Sequence, residues 1–95
     1  MLSTKMAEIC KDLLFVFTPS VTYVMRLYVI RSLSKDEEHT RLVYIRGGEE
    51  TTLTLALEYY QAIRDALESC LAGKRWLQEF RAGTVSKVNQ GDIYV

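Results

Sequence analysis

Alternating apolar and polar residues in the first half of the chain predict three β-strands. The runs span residues 21–33, 40–46 and 49–55, and each is rich in the β-branched and aromatic residues that favour strands. Gly47 and Gly48 separate the second run from the third, and adjacent glycines are typical of a tight turn. We therefore expect this half of the chain to fold largely as an antiparallel sheet.

The first two strands carry nearly the same phrase. Residues 26–31 read Arg-Leu-Tyr-Val-Ile-Arg, and residues 41–46 read Arg-Leu-Val-Tyr-Ile-Arg. The antiparallel register that matches the two phrases pairs like residues, namely Arg26 with Arg46, Tyr28 with Tyr44, and Arg31 with Arg41. Because like charges directly opposite one another destabilise a sheet, this register predicts an external anion bound at the hairpin.

The same register assigns the side chains of the second strand to two faces. Val43 and Ile45 are expected to face the core, whereas Leu42, Tyr44 and Arg46 are expected on the outer face. A slip of one residue would reverse every assignment, and the long polar connection between the strands does not fix the register.

Apolar residues at helical spacing predict two main helices, over residues 4–17 and 55–72. Residues 14–17 could equally begin a strand, and the pattern leaves that alternative open. Gly73 is expected to end the second of these helices, because glycine is the usual residue just past a helix C-terminus. Residues 74–82 then predict a shorter helix.

The tail offers weaker signals, with short strands predicted at residues 84–88 and 93–95. Together these elements predict an α+β fold: a twisted antiparallel sheet of about four strands, with the two main helices packed mainly on one face. Ninety-five residues suffice for a single domain, so residues 1–95 are interpreted as one nucleic-acid-binding-like domain.

Composition narrows the class of protein. With 48% apolar and 25% charged residues the chain has ordinary globular composition, and its zero net charge excludes an indiscriminate polycation. No apolar run approaches the roughly 20 residues that span a bilayer, and the start of the chain lacks the pattern of a signal peptide. Cys10 and Cys70 have no metal-type spacing and are predicted to be buried, reduced thiols. We therefore expect a cytoplasmic protein with no membrane partner.

Catalysis has little support in the sequence. The only histidine, His39, lies in a polar loop, and no phosphate-binding loop, nucleophile elbow or metalloprotease motif occurs. The three acids at residues 36–38 could attract a hard cation, but such a cluster is usually a solvated loop. The chain is accordingly predicted not to be an enzyme and to need no cofactor, metal or small-molecule substrate.

The arginine and tyrosine residues of the two phrases are the positive signal. Arginine pairs bidentately with phosphate, and a stacked base contributes on the order of 1–3 kcal/mol on an aromatic face. Alternation along a strand sets such groups about 7 Å apart, a spacing close to that of phosphates in an extended single strand. The predicted nucleic-acid-binding residues are Arg26, Tyr28, Arg31, Arg41, Tyr44 and Arg46. Tyr23, by contrast, is assigned to the core.

A second aromatic and basic cluster follows the main helix. Lys74, Arg75 and Trp76 could extend a binding path across the molecule. The alternative is that Trp76 closes the core while the two cations stabilise a helix C-terminus.

The order strand, strand, strand, helix resembles two known families. Leu53-Thr54-Leu55 leads into Glu58-Tyr59-Tyr60, and residues 22–72 as a whole look like the positive-cofactor-4 type of transcriptional coactivator. The chain is also similar to the archaeal ThermoDBP-type single-stranded-DNA-binding proteins, and the predicted N-terminal helix favours this second family. Either resemblance implies an antiparallel sheet that binds single-stranded DNA, and the first implies a dimer.

We therefore expect sequence-tolerant binding of single-stranded nucleic acid, DNA before RNA, by a homodimer. The alternative is a small protein-interaction or dimerisation module, or a transcriptional regulator, without direct single-strand binding. In that case Val24, Ile30 and Leu42 on the outer face would matter more than the arginines.

Overall fold

The computed structural model describes residues 5–83 as two three-stranded antiparallel sheets followed by two helices. The elements are, in chain order, β1 (Ala7–Cys10), β2 (Leu13–Phe17), β3 (Thr22–Arg26), a 3-10 turn (Leu27–Val29), β4 (Ile30–Lys35), β5 (His39–Arg46), β6 (Glu49–Ala56), α1 (Tyr59–Glu68) and α2 (Leu71–Ala82). Sheet A has the order β1-β2-β3, and sheet B has the order β4-β5-β6. The α+β class with antiparallel strands is confirmed, but the strands form two sheets rather than one. The strands predicted at residues 84–88 and 93–95 lie outside the described residues.

The predicted helix over residues 4–17 is wrong, because residues 7–17 form the β1–β2 hairpin. Cys10 pairs with Leu13 across a turn in which Lys11 has a φ of 58°. Residues 13–17 are all large and apolar, and their β-branched and aromatic members favour a strand. Cys10 is exposed at the end of β1, so its predicted burial is also wrong.

The predicted strand over residues 21–33 is interrupted by the 3-10 turn. Leu27 and Ile30 are both buried, and a continuous strand cannot point residues three apart to the same side. The 3-10 turn changes the direction of the backbone so that both side chains reach the core. Ile30 and the buried Leu33 are also three residues apart, and the bulge between Ile30 and Ser32 lets both of them face the core. This interruption transfers the chain from sheet A to sheet B.

The pairing of β4 with β5 differs from the predicted register. Leu33 lies opposite Leu42, and Ile30 lies opposite Tyr44, so like residues of the two phrases do not face one another. The faces of β5 are reversed as well. Leu42 is buried and Tyr44 packs against the core, whereas Val43 and Ile45 occupy the alternate, outer positions.

The β5–β6 hairpin agrees with the sequence prediction. Arg46 pairs with Glu49 across Gly47 and Gly48, whose φ values are 60° and 82°. A two-residue hairpin loop with both residues at positive φ is the type I′ turn, which adjacent glycines adopt without steric cost.

The helical region is divided differently from the prediction. The main helix α1 is shorter than residues 55–72, and Gly73 lies inside α2 rather than at a helix end. Leu71, the first residue of α2, is 75% exposed. On α1, Arg64 forms an ion pair with Glu68 one turn later, at 3.1 Å.

One hydrophobic core joins both sheets and both helices. Its buried members are Leu14, Val16, Met25, Leu27, Ile30, Leu33, Leu42, Leu55, Ile63, Leu67, Trp76 and Leu77. Trp76 is 5% exposed, and its indole N–H donates to the carbonyl of Ile30 at 3.0 Å. The interpretation of Trp76 as a lid on the core is therefore confirmed, as is the packing of Tyr23 against the core.

Candidate functional site

The six predicted arginine and tyrosine residues do not form one surface. Arg26 lies on β3 of sheet A, Tyr28 lies in the 3-10 turn, and Arg31 lies on β4. Arg41, Tyr44 and Arg46 lie on β5, where alternation points Arg41 away from the side that carries Tyr44. The proposed row of guanidinium and phenol groups is therefore split between two sheets and two faces.

Arg26 is paired within sheet A rather than with Arg46. Its strand neighbour is Leu13, and its guanidinium lies 2.9 Å from the Asp12 carboxylate. Both side chains are about half exposed, so the pair contributes little stability. It does reduce the positive charge that this edge of the molecule offers to an anion.

Arg31 extends over the outer side of sheet B toward Glu50, at 3.8 Å. Its side chain is only 12% exposed, and its Nε is buried without a hydrogen-bond partner among the described residues. A guanidinium covered to this extent cannot rotate freely onto a phosphate.

Arg41 is held by the turn between β4 and β5. The Asp36 carboxylate accepts backbone N–H bonds from Glu38 and His39, both at 2.8 Å, and pairs with the Arg41 guanidinium. The Glu38 N–H, the Arg41 side chain and the His39 N–H hold the pKa of Asp36 well below its ordinary value of 3.8. The acidic loop is therefore an ordered turn that neutralises one of the predicted phosphate-binding arginines.

Arg46 and Tyr28 are more accessible to a ligand than the paired arginines. Tyr28 is 56% exposed, and Arg46 is exposed and takes part in none of the ion pairs of the described residues. Tyr44, in contrast, is half-buried against the core.

The three residues of the possible extension on α2 differ in their exposure to solvent. Lys74 and Arg75 are exposed, whereas Trp76 is buried and stacks on Phe80 with ring centroids 5.0 Å apart. A base cannot stack on an indole that already lies inside the core.

Sheet A carries an apolar surface that is not among the predicted site residues. Leu13, Phe15 and Phe17 alternate along β2 with the buried Leu14 and Val16, so they point away from the core. The Phe15 and Phe17 rings stack with centroids 6.1 Å apart. Val24, which is 51% exposed, lies beside Phe15 on β3. We call Leu13, Phe15, Phe17 and Val24 the outer stripe; the signal for it was the uninterrupted apolar run of residues 13–17.

The outer face of sheet B carries more polar residues than that of sheet A. Ser34, Arg41, Thr52 and Thr54 lie there, together with the apolar Val43 and Ile45. An antiparallel sheet with one face packed on the core normally carries polar residues on the other. The outer stripe departs from that rule.

A cleft separates β3 from the end of β5. It has a volume of about 390 Å³ and is lined by residues 22–25, Val29 and residues 44–46. Two of the predicted residues, Tyr44 and Arg46, thus meet here, together with Tyr23.

Among residues 5–83 no group of three or more metal-ligating side chains comes together, and no helix is long and apolar enough to cross a membrane. Comparison of the chain with protein-family models, curated proteins and solved structures finds no match. The two family resemblances therefore stay predictions, and the helical N-terminus that favoured the archaeal family is a β-hairpin in the structure.

Proposed function

We propose that this protein is a small interaction module that self-associates through the outer stripe of sheet A. The observation that carries the proposal is the row of outward-facing apolar side chains on β2, which are half-buried, beside the exposed Val24. Contiguous exposed apolar residues rimmed by charge mark interaction sites, because burying them removes apolar area from water.

Charge at the margins of the stripe favours a second copy of this chain as the partner. Glu8 lies beside Phe15 on β1, and Arg26 lies beside Leu13 on β3. A two-fold axis parallel to the strands turns the β1 margin of one subunit toward the β3 margin of the other. Glu8 and Arg26 already pair with Lys5 and Asp12 of the same chain, at 3.3 and 2.9 Å, so this arrangement avoids facing like charges, as a self-complementary interface requires.

Self-association can be measured by sedimentation velocity and light scattering across a dilution series. We expect twice the monomer mass for the wild-type chain and the monomer mass for Val24→Lys, because the new ammonium would lie within the apolar interface. Val24 is half exposed in the monomer, so this variant should fold, as circular dichroism would verify.

Thr52→Lys is the matched control. Thr52 is exposed on an outer position of sheet B, so the same new charge should leave the mass unchanged. A monomeric wild-type chain, or equal masses for the Val24→Lys and Thr52→Lys variants, would refute the proposal.

A second candidate function is sequence-tolerant binding of single-stranded nucleic acid. The exposed Tyr28 and Arg46 favour it, since one offers a stacking face and the other a guanidinium. The support is weaker because Arg26 and Arg41 each have an acidic partner, and counterion release needs several free cations.

Fluorescence anisotropy with oligothymidylate tests this candidate. If it is correct, affinity falls as salt rises, and Arg26→Glu combined with Arg46→Glu abolishes binding at low salt. Undiminished affinity of the double variant at low salt would rule it out.

A further inference from the structure

The cleft between β3 and β5 is bordered by two strand edges rather than by two strand faces. Its lining includes four consecutive residues of β3, 22–25, and three consecutive residues of β5, 44–46. Side chains of a strand alternate between faces, so only an edge presents consecutive residues to one cavity. Backbone peptide groups therefore border the cleft on both sides.

The hydrogen-bond pattern of sheet A shows which peptide groups of β3 point into this space. Leu27 N–H donates to Asp12 at 2.8 Å, and Thr18 N–H donates to Val21 at 2.9 Å. In an antiparallel ladder the bonded positions recur at every second residue, so Tyr23 and Met25 bond toward β2. The peptide groups of the intervening residues of β3 then point away from β2. No strand of the described part of the chain pairs with that edge.

On the facing side of the cleft, β5 lies beside the 3-10 turn. The pairing of β4 with β5 stops at Ile30 and Tyr44, beyond which the chain turns through the 3-10 segment. Asp36 N–H donates to the His39 carbonyl at 3.0 Å, and alternation from this bond points the peptide groups of Ile45 toward the β4 side. The register of Ile30 with Tyr44 places Val29 of the 3-10 turn opposite Ile45, so β3 supplies the open edge of the cleft.

The charge of the cleft is set by one side chain. Arg46 is the only charged residue among those that line it, and the others are apolar, aromatic or threonine. Arg46 is exposed and takes no part in the ion pairs of residues 5–83. A ligand with a single negative charge and an otherwise uncharged, extended chain fits this lining.

We propose that the cleft binds an extended peptide segment by strand addition, with a peptide carboxylate on Arg46. The inserted chain bonds to the open edge of β3, and its side chains on one face contact Tyr23 and Tyr44. A single cation suits one carboxylate, whereas a nucleic-acid strand would need several. This site shares Val24 with the outer stripe, but it uses the edge of sheet A, whereas the proposed self-association uses its outer face.

The probe is a fluorescein-labelled hexapeptide, Ser-Val-Thr-Val-Ser-Val, with a free C-terminal carboxylate, titrated with the full chain. We expect C-terminal amidation to weaken its binding about tenfold, the typical effect of losing a charge-assisted hydrogen bond. Arg46→Gln should weaken binding of the free acid equally and abolish the difference between the two peptides. Arg75→Gln, which removes an exposed charge from α2, should have no effect.

Strand addition is tested by proline at an edge, because proline has no N–H to donate. Thr22→Pro should abolish peptide binding. Thr52→Pro on β6 is the matched control, since Thr52 also lies on an edge strand but far from the cleft, and it should bind normally. Circular dichroism would verify that both variants fold.

Three results would overturn the proposal. They are no binding of the free-acid peptide by the wild-type chain, equal binding of the acid and amide peptides, and equal losses for Thr22→Pro and Thr52→Pro. Arg46-dependent binding of oligothymidylate without any binding of the peptide would also overturn it, and would support the nucleic-acid candidate instead.

Discussion

Gly73 of α2 lies against the backbone of Leu67 of α1. A Cβ placed on Gly73 would lie 2.1 Å from the Leu67 carbonyl oxygen and 2.6 Å from the Leu67 Cα. Because these are backbone atoms, no side-chain rotation can relieve the overlap. The glycine that the sequence suggested as a helix stop therefore serves close helix–helix packing.

Replacing Gly73 by alanine tests this role, because close packing and an unobstructed helix position predict opposite changes in the free energy of unfolding. At an unobstructed helix position the change would stabilise the protein by about 1 kcal/mol through helix propensity. We expect instead a loss of about 1–3 kcal/mol, the usual cost of overpacking, in the free energy of unfolding by urea. Ala72→Ser at the exposed neighbour should change stability by less than about 0.5 kcal/mol. A stabilised Gly73→Ala variant would contradict the close approach.

The lowered pKa of Asp36 predicts that the stability of the protein depends on pH. Hydrogen bonds from Glu38 N–H, Arg41 and His39 N–H lower the pKa of its carboxyl from 3.8, so the folded state favours the ionised form. A lowered folded pKa contributes stability above the unfolded value, and this contribution is lost as pH falls through the folded pKa. At neutral pH the Asp36→Asn variant should thus be less stable than the wild type.

The difference between the two proteins should narrow when urea unfolding is repeated at progressively lower pH below about 4. The substituted asparagine retains an oxygen that can accept the turn N–H bonds, so the loss reports mainly the charge. The neighbouring Glu37→Gln change is the control, because Glu37 is exposed beside the turn, and it should show no such narrowing. An Asp36→Asn difference that stays constant with pH would refute the assignment.

The β1–β2 hairpin stores strain at one position that can be relieved. Lys11 has a φ of 58°, a left-handed conformation that costs a residue with a Cβ roughly 1–2 kcal/mol. Lys11→Gly removes this cost, and after the added entropy of glycine in the unfolded chain we expect a gain of about 0.5–1 kcal/mol in unfolding free energy. Lys11→Ala keeps the Cβ and should give no gain; equal effects of the two changes would argue against the turn conformation.

Elements whose signals are local could be predicted from the sequence. The β5–β6 hairpin follows from alternation on both sides of Gly47 and Gly48, and the helix around Trp76 follows from its spacing to Phe80. The N-terminal hairpin could not be predicted in this way. Residues 13–17 are apolar on both faces, so the alternation that identifies a strand is hidden, and helical spacing fits by coincidence.

The candidate site was less predictable because it depends on register. Where β4 begins is decided by the 3-10 turn, and that turn is fixed by contacts distant in sequence. Leu27 N–H bonds to Asp12, and the Trp76 indole bonds to Ile30. Moving the start of β4 by this turn and the bulge after it was enough to reverse the faces of β5 and to separate the arginines that the repeated phrase had paired.

At the scale of the whole molecule, three of the four arginines on strands form an ion pair with a carboxylate of the same chain. Arg26, Arg31 and Arg41 each lie within 4 Å of a carboxylate from a turn or from another strand of the same sheet. Arg46 is the strand arginine without such a partner among residues 5–83. Apolar burial, rather than a field acting over a distance, is the property that the described surface offers to a partner, which is why we rank self-association above nucleic-acid binding.

The two sheets should unfold together because one core connects them. Leu14 of sheet A is 0% exposed and belongs to the same cluster as Trp76 of α2 and Leu42 of sheet B. Leu14→Ala leaves a cavity and should cost about 2–5 kcal/mol. If the core is continuous, this loss shifts the urea midpoint reported by Trp76 fluorescence, a probe on another element, as much as the midpoint reported by circular dichroism. Leu71→Ala, at a position 75% exposed, should shift neither midpoint. A Trp76 transition that stayed in place while the dichroism transition moved would mean that sheet A unfolds independently of the helices.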